Sequence, residues 1–380
     1  MEFVMKNKMK AIIIILSVIL ITSYIGYVNL YKYVKKVQLP SFISNEEVSR
    51  EEGLLLSFIN NELMDDEGGI YTNYSNNKTD GDLTKGHDIL SESQGMILNY
   101  YLYNNNEVEY ENIFKYIKDN MMLKDGLISW RIEENQPSNV SATIDDLRIA
   151  RSFILAGEDF DNFKYRYYGL KVAKGIKKNL VTDDRLIDFN DGYGKSNITT
   201  LCYLDLYAMD VLSLFDEEWS NIYNKSLEVI NNGFISRELP LYRKFYDGDK
   251  ESYDNEEKLD TLLSVLVILN KAEVNEDVSE SVNWLKNRLR EYGYISTTYD
   301  IKTMEESKVE STSIYANLVL IAKVINDKEL YDLALNKMKN FQVLNIDSDI
   351  YGAFGYEAAN EVYSYDNLNA LLAFRRGFKN

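Results

Sequence analysis

The chain has 380 residues, with 60 Asp or Glu against 42 Lys or Arg and a formal charge of -18. That balance excludes a nucleic-acid partner, whose phosphates are held by clustered Lys and Arg; 45% hydrophobic residues suffice for one large core. One cysteine, Cys202, and one histidine, His87, rule out an internal disulfide and a zinc site built from Cys and His, so no metal and no cofactor is expected. Three prolines in this length point to an all-α fold, because a helix interior tolerates proline worst.

Lys6, Lys8 and Lys10 precede an apolar run from Ala11 to Val28, close to the ~18 residues that cross a bilayer. Bulky residues between Ser23 and Gln38 offer no cleavage site. The expectation is one N-terminal transmembrane helix acting as a signal anchor. Residues 1–37 then form the anchor and juxtamembrane segment, and residues 38–380 form one extracytoplasmic domain at the cell membrane.

Helical periodicity then recurs over Glu46–Met64, Glu92–Asn104, Tyr110–Met122, Asp145–Ala156, Phe160–Leu180 and Tyr203–Phe215. It continues over Glu217–Ile230, Lys258–Ala272, Val278–Tyr292, Ser313–Ile325, Lys328–Gln342 and Asn367–Phe378. Links alternate between short and long, which makes antiparallel pairs and gathers every long loop at one end. The long loops repeat a turn followed by an extended piece, as in Gly68-Gly69-Ile70, Gly126-Leu127-Ile128, Gly233-Phe234-Ile235 and Gly293-Tyr294-Ile295. The pattern predicts an (α/α)6 barrel, its more apolar even-numbered helices inside.

At the gathered end the inner helices begin with Ser91-Glu92, Asp145-Asp146, Cys202-Tyr203, Asp260, Ser311-Thr312 and Tyr365-Asp366. Such residues cap helices, but a ring of carboxylates also suits glycosidic cleavage, in which one acid protonates the leaving oxygen and another activates water. Trp130, Tyr193, Tyr242, Tyr246, Tyr351 and Tyr363 in the long loops are candidates to stack on sugar rings.

Ser91-Glu92-Ser93-Gln94-Gly95-Met96, Asp125-Gly126-Leu127-Ile128-Ser129-Trp130-Arg131 and Ala142-Thr143-Ile144-Asp145-Asp146-Leu147 resemble segments of glycoside hydrolase family 8. The resemblance implies an (α/α)6 barrel and an inverting endo-glycosidase on a β-1,4-linked polysaccharide, with Glu92 as general acid. It assigns Asp260 as general base, with Asp254 and Asp145 as competitors, and gives Trp130, Arg131, Asp145, Asp146, Tyr203 and Asp366 to substrate binding. Ile144 stands where the family has an Asp, and Asp260 matches its segment alone. Together with the anchor, this predicts an enzyme that trims an exopolysaccharide at the cell surface beside a polysaccharide synthase complex. Two other readings stay open: a non-catalytic glycan-binding or assembly protein, and another α/α-barrel enzyme such as a polysaccharide lyase or unsaturated uronyl hydrolase.

Overall fold

The computed structural model describes residues 2–77, 86–191 and 194–378. Among the described residues, an N-terminal helix α1 (Glu2–Val34) is followed by twelve α-helices in six pairs. The inner members are α3 (Ser91–Tyr103), α5 (Thr143–Asp159), α7 (Leu206–Ser213), α9 (Thr261–Glu273), α11 (Thr312–Ile325) and α13 (Ser364–Arg375). The outer members are α2 (Arg50–Phe58), α4 (Glu107–Tyr116), α6 (Phe163–Asn179), α8 (Glu218–Asn232), α10 (Ser279–Tyr292) and α12 (Lys328–Lys339). Each inner helix packs on the next and α13 returns to α3, so the ring closes. Inner helices are buried nearly all round, as in α11, where thirteen residues from Thr312 to Val324 are buried; outer helices bury one stripe, as α10 does through Ser281, Val282, Leu285 and Leu289.

Link lengths explain why the cleft has one mouth. Turns such as Asn326-Asp327 join inner to outer helices at one end, while at the other the long returns fold into short antiparallel ribbons. Ile89–Leu90 pairs with Arg131–Glu133, and Lys258–Asp260 with Thr298–Asp300. The glycine turns behave as the spacing suggests at Gly126 (φ +95°) and Gly293 (φ +76°), where only glycine enters the left-handed region cheaply. Gly233 departs, ending α8 at φ -84°.

The expected membrane helix is met by a continuous helix, α1, but among the described residues no helix is long and apolar enough to cross a membrane. The side chains of Ala11, Ile25 and Val28, within the expected span, lie outside the described residues. Those that are described stand clear of the barrel: Ile12, Ile13, Ile14, Ile15, Leu16, Val18, Ile19, Leu20 and Ile21 are each more than half exposed.

Candidate active site

The cleft at the mouth has a volume of about 450 Å³ and is lined by residues from five of the six repeats. Glu92 reaches it from the first turn of α3, Ile144 and Asp145 from α5, Cys202 and Tyr203 from the turn before α7, and Leu262, Leu263 and Leu266 from α9. Tyr365 and Asp366 come from α13, with Trp130 and Tyr363 from the loops. The ribbon joining Leu90 to Arg131 explains how Trp130, forty residues along the chain, stands beside the start of α3. Gly95 matters for the same geometry: a Cβ there would stand 3.1 Å from Arg148 Cδ and 3.2 Å from Ile149 Cγ1, so its absence lets α5 close on α3. Gln94, oriented to satisfy both partners, donates to Gly68 O (3.2 Å) and accepts from Ile70 N (2.6 Å), fixing the first glycine turn against the site.

Glu92 and Asp145 form the chemical centre. Burial, and then the charge of Asp145, push the Glu92 carboxyl up to about 7, against a smaller pull from Arg148. Asp145 is also raised by burial, but it accepts from Ser91 Oγ at 2.6 Å and from Arg148 Nη1 at 2.7 Å, both of which favour its ionised form. The two carboxyls are therefore divided: one is held as an acceptor with its own cation, and the other keeps its proton near neutrality, as a general acid must.

Of the residues expected at the site, Glu92, Asp145, Trp130, Tyr203 and Asp366 line the cleft. Asp366 is raised by burial and accepts from Ser313 N at 3.1 Å and Ser313 Oγ at 2.5 Å. Asp146 is fully buried instead. Its Oδ1 takes the Ile128 amide at 2.7 Å, and burial drives the carboxyl well above its ordinary range, so it acts as a neutral tie between α5 and the glycine turn before Trp130. Arg131 stands behind Trp130, with Cζ 5.8 Å from the ring, and pairs with Asp88 and with Glu133. Asp260 is at the mouth but exposed, accepting the Leu263 amide at 3.2 Å as N-cap of α9; the adjoining cleft wall is Leu262, Leu263 and Leu266. Its competitor Asp254 spends its oxygens on the amides of Lys244, Phe245 and Glu256.

Tyr363 lines the cleft, whereas Tyr242 is buried under Lys271 and Tyr246 packs on Tyr253; Tyr193 lies outside the described residues. His87 is stacked on Tyr71, with ring centroids 4.1 Å apart. Sequence reasoning missed Ile144 and Leu266 as cleft walls, while Tyr365, named among the inner-helix starts, does line the cleft. The described residues hold no group of three Asp, Glu, His or Cys side chains able to take a metal ion.

Comparison with known proteins bears on the family and the fold. Residues 66–249 match the model of the glycosyl hydrolases family 8, a stretch that contains Glu92, Asp145 and Trp130 and ends before Asp260. A solved structure of a novel alpha-amylase from Clostridium perfringens is 46% identical, with a TM-score of 0.82 over 86% of this chain and 96% of that one. Endoglucanase Cel10 from Klebsiella pneumoniae, a family 8 glycosyl hydrolase, shares the fold at 14% identity, with a TM-score of 0.60 over 84% of this chain and 98% of that one. A Bacillus subtilis (strain 168) protein named "Putative lipoprotein YdaJ" is 26% identical over 78% of this chain and 82% of its own.

Proposed function

This chain belongs to glycosyl hydrolase family 8 and is a glycoside hydrolase; from that premise we propose that it cleaves an α-1,4-linked glucan internally, with Glu92 as the proton donor. The observation that carries the chemistry is the Glu92 carboxyl, held protonated to about 7 at the wall of the cleft. The proposed linkage is supported by the alpha-amylase, which is similar over nearly its whole length at 46% identity. The β-1,4 linkage expected from the sequence is the second reading. It is favoured by the family match and by the fold of an endoglucanase that shares 14% of its residues.

In the proposed reaction Glu92 gives its proton to the glycosidic oxygen as the bond to the anomeric carbon breaks. Water adds to that carbon from the opposite face and loses a proton to a carboxylate, inverting the configuration. Asp260 is the proposed base: it is open to solvent, and its charge reaches Cys202 in the cleft wall. Trp130, Tyr203 and Tyr363 offer ring faces to the sugars. We place the enzyme at the cell surface, held by α1, because nine consecutive-region apolar side chains exposed to water are otherwise unstable and the YdaJ relative carries a lipoprotein name.

The test incubates the full-length protein with amylose, β-1,4-glucan and β-1,4-xylan, following reducing ends and ultraviolet absorbance. The first product's anomeric configuration is read by NMR. Amylose should be cut fastest, with inversion and without a new chromophore. Glu92→Gln should lose at least ~10²-fold of activity. Asp260→Asn keeps the helix cap, since Asn caps as well as Asp, and should be similarly impaired if Asp260 is the base. An active Asp260→Asn with a dead Glu92→Gln moves the base to Asp366, Asp145 or Asp254. Retained configuration, a fully active Glu92→Gln or a chromophore on cleavage each defeats the mechanism.

A further inference from the structure

The end of the barrel opposite the cleft carries two features that the hydrolytic site does not use. The first is a clamp on the segment that follows α1. Arg166, buried at the start of α6, donates through Nη1 to Tyr33 O (3.1 Å) and Lys35 O (2.6 Å) while pairing with Glu158. Lys36 pairs with Asp161 at 2.6 Å, Lys35 Nζ donates to Leu214 O at 3.2 Å, and the Tyr33 ring lies 5.3 Å from that of Tyr167. Further along, Phe42 is buried with its ring 4.3 Å from Arg376 Cζ and edge-on to Tyr103 and Tyr207, and its carbonyl accepts from Gly377 N at 3.1 Å. Residues 33–42 are therefore fastened across this end of the barrel by side chains from α3, α6 and α7, with Asp161 and Arg376 from the segments beside them.

The second feature is exposed apolar surface on the turns at this same end: Val108 after the α3–α4 turn (71% exposed), Phe163 after the α5–α6 turn (66%), and Leu214 after α7 (43%). On α1 itself the apolar run gives way to exposed Tyr24, Tyr27 and Tyr31 and then to Lys35 and Lys36, the order in which aromatic and basic side chains meet a headgroup layer at the edge of a hydrocarbon core. The aromatic belt thus ends where the clamp begins, beside Phe163 and Tyr167.

We infer that this end of the barrel rests on the lipid headgroups, with Val108, Phe163, Tyr167 and Leu214 at the interface, so that the catalytic cleft faces away from the membrane. The inference rests on the reading of α1 as a membrane helix. A clamped segment, unlike a loose tether, fixes the orientation, and α5 alone separates the two ends by about 25 Å at 1.5 Å per residue. The substrate it selects is a glucan standing clear of the lipid surface, since a chain lying on the headgroups would meet the wrong end of the barrel.

Single-site labelling tests this cleanly, because Cys202 is buried and burial pushes its thiol far up, out of reach of a maleimide at neutral pH. Val108→Cys and Phe163→Cys mark the clamped end; Val309→Cys and Ile346→Cys mark the mouth. Each full-length variant carries a bimane and is reconstituted into phosphatidylcholine–phosphatidylglycerol liposomes containing a headgroup nitroxide lipid. The expected result is several-fold stronger quenching at Val108 and Phe163 than at Val309 and Ile346, in protein that floats with the liposomes. Floating protein with equal quenching at both ends, or with stronger quenching at the mouth, overturns the orientation and leaves the membrane helix standing. Protein that stays with the soluble fraction overturns the membrane reading, and this inference with it.

Discussion

The barrel uses the same residue types at its two ends to opposite effect. At the mouth, Glu92 faces a cleft whose lining holds no basic group among the described residues, and Arg148 behind it is committed to Asp145. Toward the other end, Arg151 bridges Asp205 at 3.1 Å and Glu273 at 2.8 Å, Glu273 takes Arg376 at 2.7 Å, and Arg375 meets Glu52 through Nε and Nη2, each at 2.6 Å. Burial alone raises a carboxyl, and it does so at both ends; what differs is the cation. Beside two guanidinium groups Glu273 falls below its ordinary range, and beside a carboxylate Glu92 rises to about 7. For these two glutamates the neighbouring charge decides how far burial can push, whereas Asp205, beside Arg151 but also beside Glu273, is still raised by burial.

The largest expected effect breaks the structural half of this comparison. Glu273→Gln leaves Arg151 and Arg376 buried with one carboxylate fewer, and removing one partner of a buried ion cluster costs about 3–5 kcal/mol. Urea denaturation should show that loss with the pH dependence of cleavage unchanged. A variant as stable as the wild type would mean that the cluster is not what holds α5, α9 and the end of α13 together.

A smaller effect of opposite sign belongs to the mouth. The unfolded chain ionises Glu92 near its ordinary 4.5, while the folded protein keeps the proton to about 7. Stability therefore falls as pH rises from 4.5 to 7 and stays lowered above it. Glu92→Gln has no such cost and should be more stable than the wild type at pH 8 by up to about 3 kcal/mol, less whatever cleft water screens. The two proteins should converge at pH 4. Equal stability at both pH values would show that the carboxyl is not held neutral by its surroundings.

Much of this was legible in the sequence because it is local. Twelve helices and their alternating links follow from periodicity and turn residues, and the inner starts at Ser91, Thr143, Thr312 and Ser364 lie within a few residues of the expected positions. The site was less legible because it depends on directions across the ring. Asp145 and Asp146 are neighbours in sequence, yet on a helix they point about 100° apart, so one reaches the cleft and the other ties down Ile128. Asp260 was expected inside a helix; Lys258–Asp260 instead forms a strand against Thr298–Asp300, which puts the carboxylate on the rim as a cap. The Arg148 and Arg151 ladder carries no motif at all. Its two residues are one helical turn apart, and only the closing of the ring brings Asp205 and Glu273 to the lower of them, with Arg376 paired to Glu273.

The smallest effect, and the sharpest, concerns Asp145→Asn. Asparagine keeps the shape and can still accept from Ser91 Oγ, but the charge that helps hold the proton on Glu92 is gone, and Arg148 is left with Glu92 as its nearest acidic neighbour. Both changes favour ionised Glu92, so its pKa should fall from about 7 by roughly one unit, the lower range for gaining an opposite charge. General acid catalysis needs the protonated form, so the alkaline limb of kcat/KM should move to lower pH by that amount while the rate at pH 5 is nearly preserved. A residue that only shaped the cleft would lower the rate equally at every pH and leave the limb where it was. The full pH profile therefore separates the two roles: a limb that stays near 7, or moves up, would mean that Asp145 does not set the proton on Glu92 and that burial alone accounts for the difference between the two ends of the barrel.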